Sequence, residues 1–478
     1  MTAVDVVILA AGKGTRMKSS LPKVLHRLAG RPLVQHVLDT VAGLQARSVV
    51  LVTGHGAAEV EEATALATYE AGRPALTFVR QEPQLGTGHA VQQAVPKLPD
   101  DGITLILNGD VPLIEIATLR DLITACGGKR LALLTIDMAD PSGYGRILRA
   151  VAADGKGASG TVLGIVEQRD ATPAQAAIRE VYTGVMALPN RELKRWLSRL
   201  SNDNAQREYY LTDVVAFAVA DGMPVVAAPA VDPLQVDGVN SPQQLAALER
   251  AFQLRQARKL MEHGVRLADP ARLDVRGQLQ CAADVEIDIN CVFEGRVTLG
   301  AGVRIGAHCV ISNASIGAGA HIHPFTHIDG ERAGVVVGDG ALVGPFARLR
   351  PGAQLGPQVH IGNFVEVKNS TLARGAKANH LAYLGDATVG EQVNFGAGSI
   401  TANYDGANKH RTVIEDHVHV GSNCVLVAPV RLGHGGTIGG GSTITRDTPP
   451  DALSVARGRQ ASVPNWKRPS KKSSGDAH

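Results

Sequence analysis

Residues 337–367 read VGDGALVGPFARLRPGAQLGPQVHIGNFVEV, and within them Val337, Val343, Leu349, Leu355, Ile361 and Val367 stand six apart. The same step runs through Ile287, Phe293, Leu299, Ile305 and Ile311 before this stretch. It returns after it in Ile414, Val420, Leu426, Leu432, Ile438 and Ile444. Most of these residues are followed at once by Gly, Ala, Asp or Glu, and many by a small residue at the fifth place. That is the hexapeptide signature of a left-handed parallel β-helix. Three hexads close one triangular coil, so residues 18 apart in this chain should stack ~4.8 Å from one another. Cys291 and Cys309 share a hexad place and are expected to stack as small core residues.

Upstream the pattern changes. Val6-Val7-Ile8-Leu9, Val49-Val50-Leu51-Val52 and Thr104-Leu105-Ile106-Leu107 are short aliphatic runs, bounded by Gly or Asn and separated by segments long enough for helices. Continuous apolar strands alternating with helices predict a mostly parallel sheet covered on both faces, with any ligand at the carboxyl ends of its strands. This is an α/β Rossmann-like arrangement. Between the two patterns, Ser241 can N-cap a helix, Pro242 suits its first turn and Gln244 completes a Ser-x-x-Gln capping box. Leu245, Leu248 and Phe252 keep helical spacing, and Gly264 is a suitable stop. The expected organisation is therefore residues 1–236, a helical connector at 237–265, coils at 266–460 and a basic, disordered tail at 461–478.

Composition sets limits. The 478 residues carry 48 Lys and Arg against 45 Asp and Glu, a net +3 that argues against a nucleic-acid or membrane-surface partner. No run approaches ~18 uncharged apolar residues, and Asp5 interrupts the first apolar stretch, so neither a membrane span nor a secretory signal is expected. Five cysteines without a CxxC pair favour neither a zinc site nor a disulfide framework. A cytoplasmic protein is the expectation.

Two constellations carry chemistry. Leu9-Ala10-Ala11-Gly12-Lys13-Gly14-Thr15-Arg16-Met17 follows the first strand directly, with Leu21-Pro22-Lys23 close behind. Glycines there let backbone N–H groups approach a phosphate. The loop is neither a dinucleotide fingerprint, which needs Gly at Met17, nor a P-loop. In the coils, Arg350 and Lys368 are 18 apart and occupy the same hexad place. Like charges opposed across a ladder are destabilising, which implies an anion between them, and a phosphate suits an Arg fork beside a Lys. His380 follows that pair, with Tyr383 and Asn394 near it in the repeat.

The Gly-rich loop with its Arg and Lys resembles that of the sugar-nucleotide pyrophosphorylases. The resemblance continues through Gln81, Gln84–Ala90, Gly109-Asp110-Val111-Pro112, Gly143–Arg146, Gly164–Glu167, Tyr209–Asp213 and Gly238-Val239-Asn240. Joined to hexapeptide coils, the chain is similar over nearly its whole length to the bifunctional N-acetylglucosamine-1-phosphate uridyltransferase/glucosamine-1-phosphate N-acetyltransferases. That resemblance implies acetyl transfer from acetyl-CoA to glucosamine-1-phosphate. Mg²⁺-dependent uridylyl transfer from UTP follows, feeding bacterial peptidoglycan and lipopolysaccharide synthesis.

The resemblance also implies site residues. Asp110 and Asn240 would hold Mg²⁺, and Arg16 and Lys23 would neutralise the triphosphate. Leu9, Ala10, Ala11, Gly12, Gln81, Gly86 and Thr87 would contact the uridine end, and Gly145, Glu167, Tyr182 and Asn240 the sugar end. His380 would be the general base of acetyl transfer. Arg350, Lys368, Tyr383 and Asn394 would hold glucosamine-1-phosphate, while Ala397, Asn403, Tyr404, Ser422, Gly440 and Arg457 would line the acetyl-CoA groove. A homotrimer is implied, with acetyltransferase sites between subunits. The alternative is a single-activity pyrophosphorylase whose coils serve only assembly. Two positions depart from the family: Asn108 stands where Tyr often precedes Gly-Asp, and Tyr182 where Asn usually precedes Thr-Gly.

Overall fold

The computed structural model describes residues 2–65, 76–151 and 158–469, in two compact units that divide between Gln256 and Ala257. The basic tail beyond Pro469 lies outside the described residues.

The first unit is built on one sheet. Its strands are β1 (Val4–Leu9), β2 (Ser48–Thr53), β3 (Leu76–Arg80), β4 (Ile103–Asn108), β5 (Leu131–Asp137), β6 (Gly145–Val151), β7 (Ala158–Val166), β8 (Glu180–Pro189) and β9 (Val225–Pro229). They run in the order β9-β5-β8-β4-β1-β2-β3, with the β6/β7 hairpin attached to β8. β1 is parallel to β2 and β4, and β8 alone on the main path runs antiparallel to both its neighbours. Val6, Ile8, Leu105 and Leu107 point into one apolar layer, and Val7, Val50, Ile106 and Met186 into the other. Burial on both faces is why these strands read as continuous aliphatic runs rather than alternating ones. Leu9 pairs with both Val52 and Asn108, so the loops after β1, β2 and β4 leave the sheet side by side. The helix Pro242–Glu262 begins on this unit, where Leu248 is buried with Met17, Leu28, Leu33 and Val239.

The second unit is a parallel β-helix. Its strands form an 11-stranded sheet and a 16-stranded sheet, and every strand pairing within them is parallel. All three hexad series point inward: Ile287 through Ile311, Val337 through Val367 and Ile414 through Ile444 are buried in one continuous core. Cys291 and Cys309 are buried in that core as free thiols.

The 18-residue step holds from Leu349 to Val367 but is not uniform. Asn363 pairs with His380, 17 on, and Asn394 meets His419, 25 on. The longer coil accommodates the loop Asn403–His410, closed by a bridge between Tyr404 and Lys409. At the corners the backbone turns left-handed, even at Phe325, Phe346 and Phe364, whose rings stack at 5.0 and 5.5 Å.

Ile361 is wholly buried between Val343 and Ala378 on the neighbouring coils. Ile361→Ala is expected to cost about 2–5 kcal/mol by removing apolar contact and leaving a cavity. Urea unfolding followed by far-ultraviolet circular dichroism checks this.

Candidate active sites

Two adjoining clefts, of about 660 and 420 Å³, open at the carboxyl ends of β1 and β4 and share Leu9, Arg16, Thr87, Asn108 and Asp110. The larger is walled by the loop after β1. Ala10, Ala11, Gly12 and Lys23 line it together with Gln81 and Gly86. A Cβ on Gly12 would meet nothing within 4 Å, so that backbone faces open cleft, as a phosphate cradle requires. Gly86 has φ +107°, and a Cβ there would lie 2.7 Å from the Tyr209 carbonyl oxygen, so only glycine fits this approach. The buried Gln81 holds the turn by donating from Nε2 to the Gly86 carbonyl at 2.9 Å.

Where the clefts meet, Lys23 Nζ donates to Asp110 Oδ2 at 2.5 Å and to Asn240 Oδ1 at 3.1 Å. Three segments remote in sequence thus converge on one cationic atom. A carboxylate and a carboxamide oxygen converging on one point fit a hard cation that takes its other ligands from phosphates and water.

The smaller cleft takes its wall from the β6/β7 hairpin and β8. Gly145 pairs with Tyr182 across the ladder. Glu167 accepts from Thr212 Oγ1 at 2.9 Å. Burial, and then the nearby Asp213, Asp170 and Glu208, raise the Glu167 pKa above its ordinary value. Tyr182 is buried at the cleft wall, and its hydroxyl has no hydrogen-bond partner among the described residues. Burial first, then the charge of Glu167, holds that phenol well above its usual pKa, so it is a neutral donor. Every residue expected at the nucleotide and sugar ends lines one cleft or the other. Sequence reasoning missed Gln206, Glu208, Thr212 and Gln244 as lining residues. Of these only Thr212 lies in the motif Tyr209–Asp213, which Gln206 and Glu208 closely precede.

In the coils, the ladder sets Leu349 against Val367, which brings Arg350 and Lys368 to adjacent levels as their spacing implied. The charges are arranged differently from the simple opposed pair. Arg350 Nη1 donates to Glu366 Oε1 at 2.8 Å, so Arg350 has a carboxylate partner of its own. Lys368 lies beside Lys409, whose ammonium, followed by burial and Arg350, lowers its pKa. Lys409 is thus a third cation at this place, supplied by a hairpin that the repeat could not foretell. A Cβ on Gly385 would run into the Tyr383 hydroxyl, so that phenol lies over Gly385, the ladder partner of Lys368.

His380 and Asn394 belong to strands of the 11-stranded sheet, whereas Arg350 follows, and Lys368 and Tyr383 lie in, strands of the 16-stranded one. Among the described residues no hydrogen bond joins the two sets; His380 Nδ1 instead meets Asn363 Oδ1 at 3.0 Å.

Ala397, Ser422, Gly440 and Arg457 climb successive levels. The Ala397 carbonyl accepts from Asn423 N, the Ser422 carbonyl from Gly441 N, and the Gly440 carbonyl from Arg457 Nη1 at 2.6 Å. Tyr404 is exposed on its loop. The Asn403 amide is buried and donates to Asp386 Oδ2 at 2.5 Å, anchoring that loop.

Residues 6–262 match the family model of the MobA-like NTP transferase domain. Residues 334–369 match the bacterial transferase hexapeptide model, and 411–446 the hexapeptide repeat of succinyl-transferase. Proteins named Bifunctional protein GlmU align along almost the whole chain. That of Albidiferax ferrireducens is 70% identical over 471 residues, 98% of this chain and 100% of its own. That of Polaromonas naphthalenivorans is 72% identical, covering 98% of each chain, and that of Cupriavidus necator is 57% identical, covering 98% and 99%. The chain belongs to the bifunctional GlmU family.

GlmU membership makes this a two-activity enzyme, a nucleotidyltransferase followed by a hexapeptide-repeat acyltransferase, acting on nucleotide and acyl substrates with use of a metal. It fits the division of the chain into a sheet unit with a double cleft and a coil unit with a cation cluster. No helix among the described residues is long and apolar enough to cross a membrane.

The raised pKa of Glu167 has a measurable sign. A carboxyl that resists ionisation in the fold costs nothing below its unfolded pKa near 4.5, and costs stability as pH rises through the folded value. Glu167→Gln removes that cost while keeping an acceptor for Thr212. Its melting temperature should exceed the parent's at about pH 7, and the difference should vanish below about pH 4. A difference independent of pH would contradict the assignment.

Proposed function

We propose that the double cleft of the first unit joins UTP to N-acetylglucosamine-1-phosphate, and that the cation cluster of the coils marks where glucosamine-1-phosphate is acetylated. Acetyl transfer belongs to residues 266–460, and uridylyl transfer to residues 1–236 together with Asn240 from the start of the connector 237–265. The observation that carries the first assignment is the convergence of Asp110, Lys23 and Asn240 at the junction of the two clefts.

In uridylyl transfer a phosphate oxygen of the sugar phosphate attacks the α-phosphorus of UTP in line. The bond to the β-phosphate oxygen breaks, and pyrophosphate leaves. Asp110 and Asn240 would hold Mg²⁺, which supplies charge neutralisation to the triphosphate. Arg16 and Lys23 offset the charge that builds on the transferring group, so positioning and electrostatics carry the step. Leu9, Ala10, Ala11, Gly12, Gln81, Gly86 and Thr87 receive the uridine end. Gly145, Glu167, Tyr182 and Asn240 receive the sugar. The unpartnered Tyr182 hydroxyl supports that role, since a buried donor without an acceptor is costly until a ligand supplies one.

In acetyl transfer the glucosamine amine attacks the thioester carbon of acetyl-CoA, His380 takes the amine proton, and CoA leaves as the thiol. Arg350, Lys368, Tyr383 and Asn394 hold the sugar phosphate, and Ala397, Asn403, Tyr404, Ser422, Gly440 and Arg457 line the path of acetyl-CoA. The separation of His380 and Asn394 from Arg350, Lys368 and Tyr383 on two sheets supports a homotrimer in which a neighbouring copy completes each site. Acetyl-CoA and UTP as substrates support a cytoplasmic enzyme. A pyrophosphorylase with coils used only for assembly is not favoured, because such coils have no use for Arg350, Lys368 and Lys409 gathered at one place.

His380→Ala should lower the acetylation rate by about 10²–10⁴, the usual worth of a general base, and leave uridylyl transfer at the parent rate. Asp110→Ala should do the reverse. Separate assays with glucosamine-1-phosphate plus acetyl-CoA, and with N-acetylglucosamine-1-phosphate plus UTP, check both. Acetylation at the parent rate in the first variant removes His380 as the base.

A further inference from the structure

Asn240 stands at the mouth of the helix Pro242–Glu262, and the first turn of that helix is tied to it unusually. Ser241 caps in the ordinary way, its Oγ accepting from Gln244 N at 3.2 Å. The reciprocal bond of a capping box would run from the backbone N–H of Ser241 to the Gln244 side chain. Instead Gln244 Oε1 reaches one residue further and accepts from the backbone N–H of Asn240 at 2.8 Å. On the other side of Asn240, Val239 N donates to the Asp110 carbonyl at 3.0 Å, and the Val239 side chain is wholly buried. The Asn240 backbone is therefore fixed before and after, and its side chain is left aimed at the point it shares with Asp110. Gln244 itself lines the smaller cleft beside Asn240 and Asp110.

We propose that Gln244 is a positioning residue for the cation site: by holding the Asn240 backbone it sets the direction of the Asn240 carboxamide oxygen, and the first turn of the connecting helix is part of the uridyltransferase centre. The proposal rests on the reading of Asp110 and Asn240 as the metal holders. The physical reason is general. A ligand side chain on a free loop must be ordered when the cation binds, and outer-shell partners that order it beforehand are typically worth about 10–100-fold in metal affinity.

The test is Mn²⁺ binding to the full chain in the presence of UTP, read from the electron paramagnetic resonance signal of free Mn²⁺. The parent is compared with Gln244→Met, Gln244→Glu and Asn240→Ala. Methionine keeps the length and helix propensity of Gln but lacks the acceptor, whereas Glu keeps the acceptor. The helical circular-dichroism signal, which comes from the first unit and the connecting helix, should match the parent's in each variant and so show that this unit is folded.

The proposal expects Q244M to bind Mn²⁺ about tenfold more weakly, with Q244E closer to the parent than Q244M. Parent affinity in Q244M with lost affinity in N240A would overturn it, leaving Gln244 as a helix cap only. Parent affinity in N240A would overturn the metal reading on which it rests.

Discussion

A chain wound in closed coils satisfies its backbone by bonding each coil to the next, and that single requirement fixes what lies above what along the second unit. Leu349 over Val367 is a consequence of it, and so is the column of buried hexad residues from Ile287 to Ile444. The same requirement brings Arg350 and Lys368 to adjacent levels, where unrelieved charge would be costly. The fold answers in two ways. Glu366, a ladder neighbour, takes the Arg350 guanidinium, and Lys368 is left among cations with Lys409. Asp386 acts on Lys368 as well, so the positive cluster is partly relieved from both sides.

The first unit meets a comparable demand by other means. Its parallel strands end side by side, so loops distant in sequence leave the sheet together. Lys23, Asp110 and Asn240 meet there, and the Lys23 ammonium occupies the position that carboxylate and carboxamide share. The sheet is buried on both faces; the converging groups lie on loops at the carboxyl ends of its central strands, and the Asn240 loop is further held by the helix that follows it.

Much of this was legible in the sequence. The six-residue period announced the coils because each inward residue must be apolar. The loop Leu9–Met17, directly after an apolar strand, marked the wall of the larger cleft. What could not be read is equally physical. Coil lengths of 17 and 25 residues depend on where a corner is shortened or a loop let out, and no periodicity reports that. Glu366 as the partner of Arg350, and Lys409 as a third cation, follow from side-chain directions rather than spacing. Ser241 and Gln244 were legible as a capping box, yet the bond to Asn240 depends on a reach one residue longer than the pattern implies. Tyr182 was legible as a departure; its burial and unpartnered hydroxyl were not.

The central claim is that one chain carries two chemistries in two separately built sites, and a single mixture tests it. The purified protein is incubated with Mg²⁺, UTP, acetyl-CoA and glucosamine-1-phosphate, and the products are identified by mass spectrometry. The account predicts UDP-N-acetylglucosamine together with free CoA and pyrophosphate. N-acetylglucosamine-1-phosphate that accumulates without any UDP-sugar would contradict the assignment of the double cleft. No acetylation, with turnover only when N-acetylglucosamine-1-phosphate is supplied, would contradict that of the coils.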